Sequence, residues 1–283
     1  MAYRYLSAEE IETRLIEAIG EITYRPDPAI KPALLKAYDH ETEELPRDVL
    51  ASIIANIEMA PEDKTPLCQD TGTFIVLAYV GNELIITGQP LQEIVNNALI
   101  KASAKFYLRS SILSDPLYQR INTGNNAPAI LHIRIVKGDS LVLHIAQKGG
   151  GAENKSRLKM FNPSATDEDI IQFAVDTVIL AGAQACPPLI LGIGIGGNFE
   201  TCALLAKQAL FVPLNQAHAN PLYAELEEKI LNAINKTRIG TQGMGGNCTS
   251  LAVHIAIAPC HIASLPVAIN LQCHAHRHCE IVF

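Results

Sequence analysis

Three of the seven cysteines in this 283-residue chain stand in segments that cannot continue an ordinary helix or strand. Cys68 lies among turn-forming residues before an apolar run, Cys186 precedes two prolines, and Cys273 precedes a histidine-rich segment. Prolines and turn formers restrict the backbone to a few conformations. Thiolates at such places are ligand types for zinc and for iron–sulfur clusters. The three cysteines therefore suggest one metal-binding site.

The number of thiolate ligands decides what such a site could do. Four would close an iron–sulfur cluster for electron transfer or sensing, whereas three leave one iron open to substrate as a Lewis acid. Cys260 and Cys279 are the candidates for a fourth ligand. The simplest expectation for the remaining cysteines is that they are small buried hydrophobic residues, as free cysteines usually are. These residues are Cys202, Cys248, Cys260 and Cys279.

Zinc is a weaker interpretation of the C-terminal segment. The segment contains many zinc-ligand types: Cys260, His261, Cys273, His274, His276, His278 and Cys279. Structural zinc sites usually take ligands in closely spaced pairs, and no Cys-x-x-Cys pair occurs in the chain. The sequence therefore favours well-separated cysteines over a zinc finger.

Two features suit an anionic ligand. Lys101, Lys105 and Arg109 recur at four-residue spacing on a predicted helix, although a solvated face would show the same stripe. Gly149-Gly150-Gly151 lies between Lys148 and a second lysine, so its N–H groups can turn toward one point. A surface linker would have a similar composition, and both readings of this loop stay open.

The spacing Gly192-x-Gly194-x-x-Gly197 matches a dinucleotide fingerprint. The expected continuation is a second parallel strand that ends in Asp or Glu about 20 residues further on. The chain instead has a loop-like segment with prolines at residues 213–221. Nucleotide binding is therefore not favoured.

Helices and short strands must position these residues. Helical periodicity predicts a helical entry over residues 1–60, with Ser7 capping the first helix. Further helices are predicted at 90–111, 167–183, 199–210 and 221–234. Hairpins are predicted for 74–80 with 83–87 and for 130–136 with 140–146. These patterns predict an α+β fold, in which helices pack around a largely antiparallel, hairpin-rich sheet, and a single domain over residues 1–283.

Composition narrows the classes of partner. The chain is 48% hydrophobic and 18% charged, which a large core would explain but which favours another subunit covering some apolar surface. A formal charge of −7 without basic clusters argues against nucleic acid. No apolar run is long enough for a bilayer, and the N-terminus lacks the pattern of a signal peptide. We therefore expect a cytoplasmic protein.

Several motifs together resemble one enzyme family, the iron–sulfur-dependent class I fumarases and L-tartrate dehydratases. The resemblance is to the alpha subunit, or to the N-terminal half of single-chain members, and it extends from about residue 65 to 277 in the family's order. The motifs are Cys68-Gln69-Asp70-Thr71-Gly72-Thr73, Asn122-Thr123-Gly124-Asn125-Asn126-Ala127-Pro128, Lys148-Gly149-Gly150-Gly151, Cys186-Pro187-Pro188, Gly192-Ile193-Gly194-Ile195-Gly196-Gly197 and Cys273-His274-Ala275-His276-Arg277.

The resemblance implies a cofactor and a set of site residues. It implies a [4Fe-4S] cluster on Cys68, Cys186 and Cys273, with the fourth iron facing substrate. It further implies that Gln69 and Asp70 reach the substrate, that Arg109 pairs with a substrate carboxylate, and that a glycine loop including Gly149 and Gly150 lines the pocket.

The resemblance also implies a partner and a reaction. The second module of the family, a swivelling domain that supplies the catalytic base, is absent here and is expected on a separate beta subunit, in a hetero-oligomer such as a heterotetramer. The expected reaction is reversible hydration of the C4 dicarboxylate fumarate to (S)-malate. L(+)-tartrate to oxaloacetate is the second choice, and a non-enzymatic electron-transfer or sensing protein is a more distant one.

Overall fold

The computed structural model describes residues 3–283, and its backbone divides into two compact units. Unit 1 contains the described part of Met1–Asp27, together with Ile57–Gly150 and Arg277–Phe283. Unit 2 contains Pro28–Asn56 and Gly151–His276. The prediction that residues 1–283 act as one cluster-binding domain stays a prediction.

The described residues form ten strands and eight α-helices. In chain order they are β1 (Arg4–Ser7), α1 (Ala8–Tyr24), α2 (Ile30–His40), α3 (Glu44–Asp63), β2 (Thr73–Gly81), β3 (Leu84–Thr87), α4 (Leu91–Lys105), β4 (Ile130–Val136), β5 (Leu141–Lys148), α5 (Gly150–Glu153), β6 (Arg157–Phe161), α6 (Asp167–Ala181), β7 (Leu189–Gly197), α7 (Phe199–Ala209), α8 (Pro221–Asn235), β8 (Ser250–Cys260), β9 (Leu265–Gln272) and β10 (Arg277–Val282). Short 3-10 turns lie at Gly182–Ala185 and Thr241–Gly243.

The helix predictions agree with the structure to within a few residues, apart from one end. Ser7 caps α1 as predicted, because its side chain accepts a hydrogen bond from the Glu10 N–H. A capping box of Thr166 and Asp169 starts α6. Helix α4 ends at Lys105, several residues before the predicted end, and Tyr107 beyond it is left-handed. Strand β1 lies within residues 1–60, where only a helical entry was predicted, so that part of the prediction is wrong.

The sheet of unit 1 has the strand order β10-β5-β2-β4. Strand β2 pairs parallel with β4 and antiparallel with β5, and β5 pairs antiparallel with β10. Both predicted hairpins are therefore wrong. Strand β3 pairs with β1 instead of β2, and β2 lies between β4 and β5.

The connection at residues 137–140 explains the error. It carries good turn residues, but it passes over the end of β2 instead of reversing the chain onto its neighbour. The N–H of Gly81 donates to the Ser140 carbonyl, and the N–H of Gly138 donates to the Asn82 side chain. A Cβ at Gly81 would lie 2.4 Å from the Gly138 oxygen, so only glycine allows this approach.

The sheet of unit 2 repeats the arrangement with other strands, in the order β6-β9-β7-β8. The central strand β7 pairs parallel with β8 and antiparallel with β9, and β9 pairs antiparallel with β6. In each sheet a central strand thus separates two strands that follow each other in the chain. Such a structural repeat leaves no visible repeat in the sequence.

Each unit has its own hydrophobic core. In unit 1, α1 and α4 pack on the sheet face that carries Phe74, Val76 and Ala78. In unit 2, α6 and α8 pack against the face of β7 that carries Leu191 and Ile193. The mixed helices and sheets confirm the predicted α+β class. No helix in residues 3–283 is both long enough and apolar enough to span a membrane.

Candidate active site

The Cys68 loop of unit 1 lies between α3 and the central strand β2. The backbone N–H of Leu67 donates to the Thr23 carbonyl at 2.9 Å, which anchors the loop to α1. The loop then turns at Gly72, whose φ is +74°. A Cβ there would lie 2.3 Å from the Lys148 carbonyl oxygen, so glycine is required where the loop meets the end of β5.

The Asp70 side chain connects this loop to the glycine loop. Its carboxylate accepts one hydrogen bond from the Gly72 N–H at 2.8 Å and another from the Gly150 N–H at 2.7 Å. A Cβ at Gly149 would lie 3.3 Å from the same carboxylate. The structure therefore brings the predicted residues Asp70, Gly149 and Gly150 together within unit 1.

The carbonyl of Asp70 is held by a second residue, which sequence reasoning gave no role. Arg277, at the start of β10, is 2% exposed, and its Nη2 donates to the Asp70 oxygen at 2.7 Å. Next to Arg277 on β5 lies the buried Gln147, whose amide donates to Thr23. A buried guanidinium is costly unless its hydrogen bonds are made, so movement of the Asp70 carbonyl away from Arg277 would be unfavourable. Arg277 thereby fixes the backbone at Asp70.

A cavity of about 330 Å³ opens beside this loop in unit 1. It is lined by Pro66, Cys68, Gln69, Thr71, Tyr107 and Arg109. Among the described residues, no carboxylate pairs with the exposed Arg109 guanidinium. A free guanidinium suits a carboxylate ligand, which it can bind in a bidentate manner. Sequence reasoning anticipated Cys68, Gln69 and Arg109 here but missed Tyr107.

Asn126 explains one of the loop motifs, because it positions the segment that carries Arg109. It is fully buried with a φ of +62°, and its side-chain oxygen accepts from the Ser111 N–H at 2.7 Å. Its amide nitrogen donates to the Ser103 hydroxyl of α4 at 3.1 Å. The chain after Arg109 is thereby attached to a helix of the same unit.

Cys186 and Cys273 both belong to unit 2. Cys186 follows a 3-10 turn in a left-handed conformation, with a φ of 57°. The backbone N–H of His274 donates to the Cys186 carbonyl at 3.4 Å, and His274 Nδ1 lies 3.0 Å from the same oxygen. The residue after Cys273 is thus bonded to Cys186, so the structure brings these two segments together.

Gln242 supports the same segment and was missed from the sequence. Its backbone N–H and its side-chain amide both donate to the Pro187 carbonyl, at 2.8 Å and 2.7 Å. Its amide nitrogen also lies 3.1 Å from His274 Nδ1. The glycines around Gln242 were the only signal in the sequence, because they allow the chain to turn tightly.

Four cysteines lie outside the predicted ligand set. Burial raises the pKa of Cys202 to about 11, that of Cys248 to about 12 and that of Cys279 to about 11, so these thiols stay protonated. Cys260 is exposed and bonds to the Ser264 carbonyl.

Cys68, Cys186 and Cys273 are partly exposed thiols on loops. In donor type and accessibility, each within its own unit, they fit an iron–sulfur cluster. Among residues 3–283, no three His, Cys, Asp or Glu side chains are gathered as a ready metal site.

The glycine fingerprint has a packing role. Gly192 and Gly194 lie inside β7, not in a turn between a strand and a helix. A Cβ on Gly192 would lie 2.1 Å from the Ala206 oxygen, and one on Gly194 would lie 2.2 Å from the Cys202 oxygen. These glycines allow α7 to approach the sheet backbone, so they do not form a phosphate-binding loop.

A larger cavity of about 610 Å³ belongs to unit 2 and contains none of the predicted site residues. Its wall is mostly apolar, and the amide of Asn235 is occupied by backbone groups of Thr249 and Ser250. We therefore regard the smaller cavity of unit 1, which offers a free guanidinium and a thiol, as the candidate active site.

Together, the fold and this site define an α+β protein with a small pocket. The pocket combines the unpaired guanidinium of Arg109, the side-chain amide of Gln69 and the accessible thiol of Cys68. Comparison with known proteins identifies the family. The model of the family described as "Fumarate hydratase (Fumerase)" matches residues 12–282, and the chain belongs to this family. This match confirms the resemblance and the prediction of a hydro-lyase.

Two relatives extend the match over most of the chain. A protein of Methanocaldococcus jannaschii described as "Putative L(+)-tartrate dehydratase subunit alpha" is 39% identical over 256 residues, which cover 88% of each chain. The L(+)-tartrate dehydratase subunit alpha of Escherichia coli K12 is 30% identical over 271 residues, which cover 92% of this chain and 88% of the relative.

Proposed function

We propose that this chain is the alpha subunit of an iron–sulfur hydro-lyase that reversibly hydrates fumarate to (S)-malate. The observation that carries the proposal is the cavity of unit 1, where Cys68 and Gln69 lie beside the unpaired Arg109. A cavity of about 330 Å³ is within the usual range for small-molecule sites. Membership of the family supports hydro-lyase chemistry over a non-enzymatic cluster protein.

The proposed cofactor is a [4Fe-4S] cluster held by Cys68, Cys186 and Cys273. When bound, such a cluster with three protein ligands supplies a Lewis acid that can grip a hydroxyl and a carboxylate. The partial exposure of the three thiols supports this ligand set, whereas Cys202 is buried and its thiol donates to the Gly194 carbonyl.

The residues of this chain would bind and orient the substrate. Arg109 would pair with one carboxylate through two parallel N–H bonds. Gln69 would offer an amide donor to the same small molecule. Asp70, whose carboxylate is held by the N–H groups of Gly72 and Gly150, would present a fixed acceptor to the substrate hydroxyl. Fixed groups reduce the reorganisation needed in the transition state.

The general base is proposed to lie on a separate beta subunit. Removal of the proton next to a carboxylate requires a base within hydrogen-bond reach. The names of the relatives, which are called "subunit alpha", support a second chain. On this proposal the two chains form a hetero-oligomer, and the alpha chain alone binds dicarboxylates but is a poor catalyst.

L(+)-tartrate is the second candidate substrate, and the names of the relatives favour it. Its dehydration to oxaloacetate would use the same groups, because tartrate is malate with one additional hydroxyl. A site that hydrogen-bonds this hydroxyl can discriminate between the two substrates.

The test is an anaerobic assay of the reconstituted alpha and beta subunits. Hydration of fumarate and dehydration of (S)-malate and L(+)-tartrate are measured side by side, with iron and sulfide content determined on the same samples. The proposal expects turnover of fumarate and (S)-malate, and only with both chains present, whereas turnover of L(+)-tartrate alone would favour the second candidate. Loss of iron without loss of turnover, or full turnover by the alpha chain alone, would contradict it.

A further inference from the structure

Tyr107 occupies a backbone position that normally belongs to glycine. It follows the last turn of α4 with a φ of +55°. The N–H of Leu108 donates to the Ser103 carbonyl at 2.9 Å, and the N–H of Phe106 donates to that of Ala102. The bond from Leu108 to Ser103 is that of a Schellman-type helix end, in which the left-handed residue is usually glycine because a Cβ is unfavourable there.

Burial of the Tyr107 side chain does not offset the energetic cost of its left-handed backbone conformation. It is 88% exposed, whereas the next residue, Leu108, is buried in the core of unit 1. An exposed, bulky residue in a left-handed position is an outlier. Strained positions of this kind occur preferentially at functional sites.

Tyr107 lines the same cavity as Arg109 and Gln69. The three residues offer different chemistry to one small ligand, namely a phenol, a guanidinium and an amide. Within this lining the phenol is also able to accept a hydrogen bond from a ligand hydroxyl and to donate one back. Arg109 cannot accept a hydrogen bond at all.

We infer that Tyr107 is a specificity-determining residue, whose hydroxyl hydrogen-bonds the second hydroxyl of L(+)-tartrate, the group that (S)-malate lacks. The inference rests on the second candidate function, the dehydration of L(+)-tartrate, and deepens it. In the dehydration of tartrate one hydroxyl leaves, while the other needs its own partner in the pocket. Tyr107 provides this partner beside the guanidinium that binds a carboxylate.

The experiment compares Tyr107→Phe with wild type in the complex of both subunits. Phenylalanine keeps the ring and the backbone and removes only the hydroxyl. The apparent affinity for L(+)-tartrate is measured as a KM if tartrate is turned over, and as an inhibition constant against malate if it is not. We expect it to weaken about 5- to 10-fold, as for one lost hydrogen bond, while the values for (S)-malate and succinate change less than about twofold.

Tyr118→Phe is the matched control, because Tyr118 is 86% exposed and does not line the cavity. It should leave all three affinities unchanged. Equal effects of Tyr107→Phe on tartrate and succinate, or no effect on either, would overturn the specificity role.

Tyr107→Gly separates a functional role from a structural one. Glycine relieves the left-handed backbone, so the Tm of the chain should stay the same or rise. The affinity for tartrate should nevertheless fall at least as much as in Tyr107→Phe. A lower Tm with unchanged affinity would mean that the tyrosine serves the fold.

Failure of the proposed function would look different. If the wild-type complex turns over neither malate nor tartrate, the hydro-lyase proposal fails, and equilibrium titration of tartrate and succinate on both variants still tests Tyr107. If the wild-type complex is active and binds tartrate no more tightly than the Tyr107→Phe complex, only the role of Tyr107 is refuted.

Discussion

The two units share one strand arrangement but carry different groups at corresponding places. In each, a cysteine loop precedes the central strand: Cys68 comes five residues before Thr73, and Cys186 comes three residues before Leu189. In each, the start of the central strand pairs with the end of its antiparallel neighbour, as Thr73 with Lys148 in unit 1. The segment after that neighbour therefore meets the cysteine loop.

The residues at this meeting point differ. In unit 1 the second segment is the glycine loop, and the Gly150 N–H donates to Asp70. In unit 2 it is Cys273 with His274, which bonds to the Cys186 carbonyl. The strand order thus brings two loops together in each unit, whereas the residue types decide whether the result is a candidate substrate pocket or a pair of candidate ligands.

The largest expected effect tests the three proposed cluster ligands, one in unit 1 and two in unit 2. Cys68→Ser, Cys186→Ser and Cys273→Ser should each remove most of the iron and lower activity on the order of 100-fold or more, because each removes a proposed ligand. Iron per chain after anaerobic reconstitution is the measurement.

Cys202→Ser is the control for these variants. Cys202 is buried and donates to the Gly194 carbonyl, a bond that serine can also make. It should keep its iron. Equal iron loss in all four variants would mean that destabilisation had been mistaken for ligation.

Arg109→Lys tests the anion-binding role of unit 1. Lysine keeps the charge but loses the planar fork, so kcat/KM for the dicarboxylate should fall by about 100-fold. Steady-state kinetics of the two-subunit complex measure this. Lys105→Gln, which neutralises an exposed lysine at the end of α4, four residues before Arg109, is the control and should change kcat/KM less than about twofold. Similar losses in both variants would indicate general charge attraction instead of a specific contact.

Gly194→Ala tests a packing difference between the central strands. In unit 2 the added Cβ would lie 2.2 Å from the Cys202 oxygen, so the free energy of unfolding should fall by about 2–3 kcal/mol. In unit 1 the core face of β2 carries Val76 and Ala78 instead. Ala78→Gly should cost about 0.5–1 kcal/mol through backbone entropy. Urea unfolding compares the two, and a Gly194→Ala cost below that of Ala78→Gly would contradict the close approach.

The smallest effect concerns His254 on β8 of unit 2. It is 3% exposed, neither ring nitrogen has a hydrogen-bond partner in the described chain, and burial lowers its pKa from 6.5 to about 4. The unfolded state binds a proton on His254 more readily than the folded state does. The stability that follows from keeping His254 neutral is therefore fully present above pH 6.5 and is lost as the pH falls toward 4. Between pH 7.5 and 5.5 the loss should be about 1 kcal/mol.

Urea unfolding at the two pH values measures the His254 effect. His254→Leu should remove this part of the pH dependence, whereas His261→Asn, a change at an exposed histidine, should not. An unchanged pH slope in His254→Leu would assign the effect to other groups.

Local signals in the sequence predicted much of this protein. Ser7 predicted the start of α1, because a cap acts within three residues, and apolar periodicity predicted the helices to within a few residues, except at the end of α4. The spaced motifs predicted the family, which the match over residues 12–282 confirmed. They also predicted that Cys68, Gln69 and Arg109 belong to one site, and the cavity of unit 1 contains all three.

Only the tertiary structure decided the strand order, the two units and the supporting contacts. Turn residues at 137–140 predict that the chain reverses, but they do not determine whether another strand lies between the two that they connect. The bond from Arg277 to Asp70 joins residues 207 positions apart, and that from Asn126 to Ser103 joins residues 23 apart. Such bonds depend on which distant strands pair and which faces become buried, and no local pattern in the sequence specifies that choice.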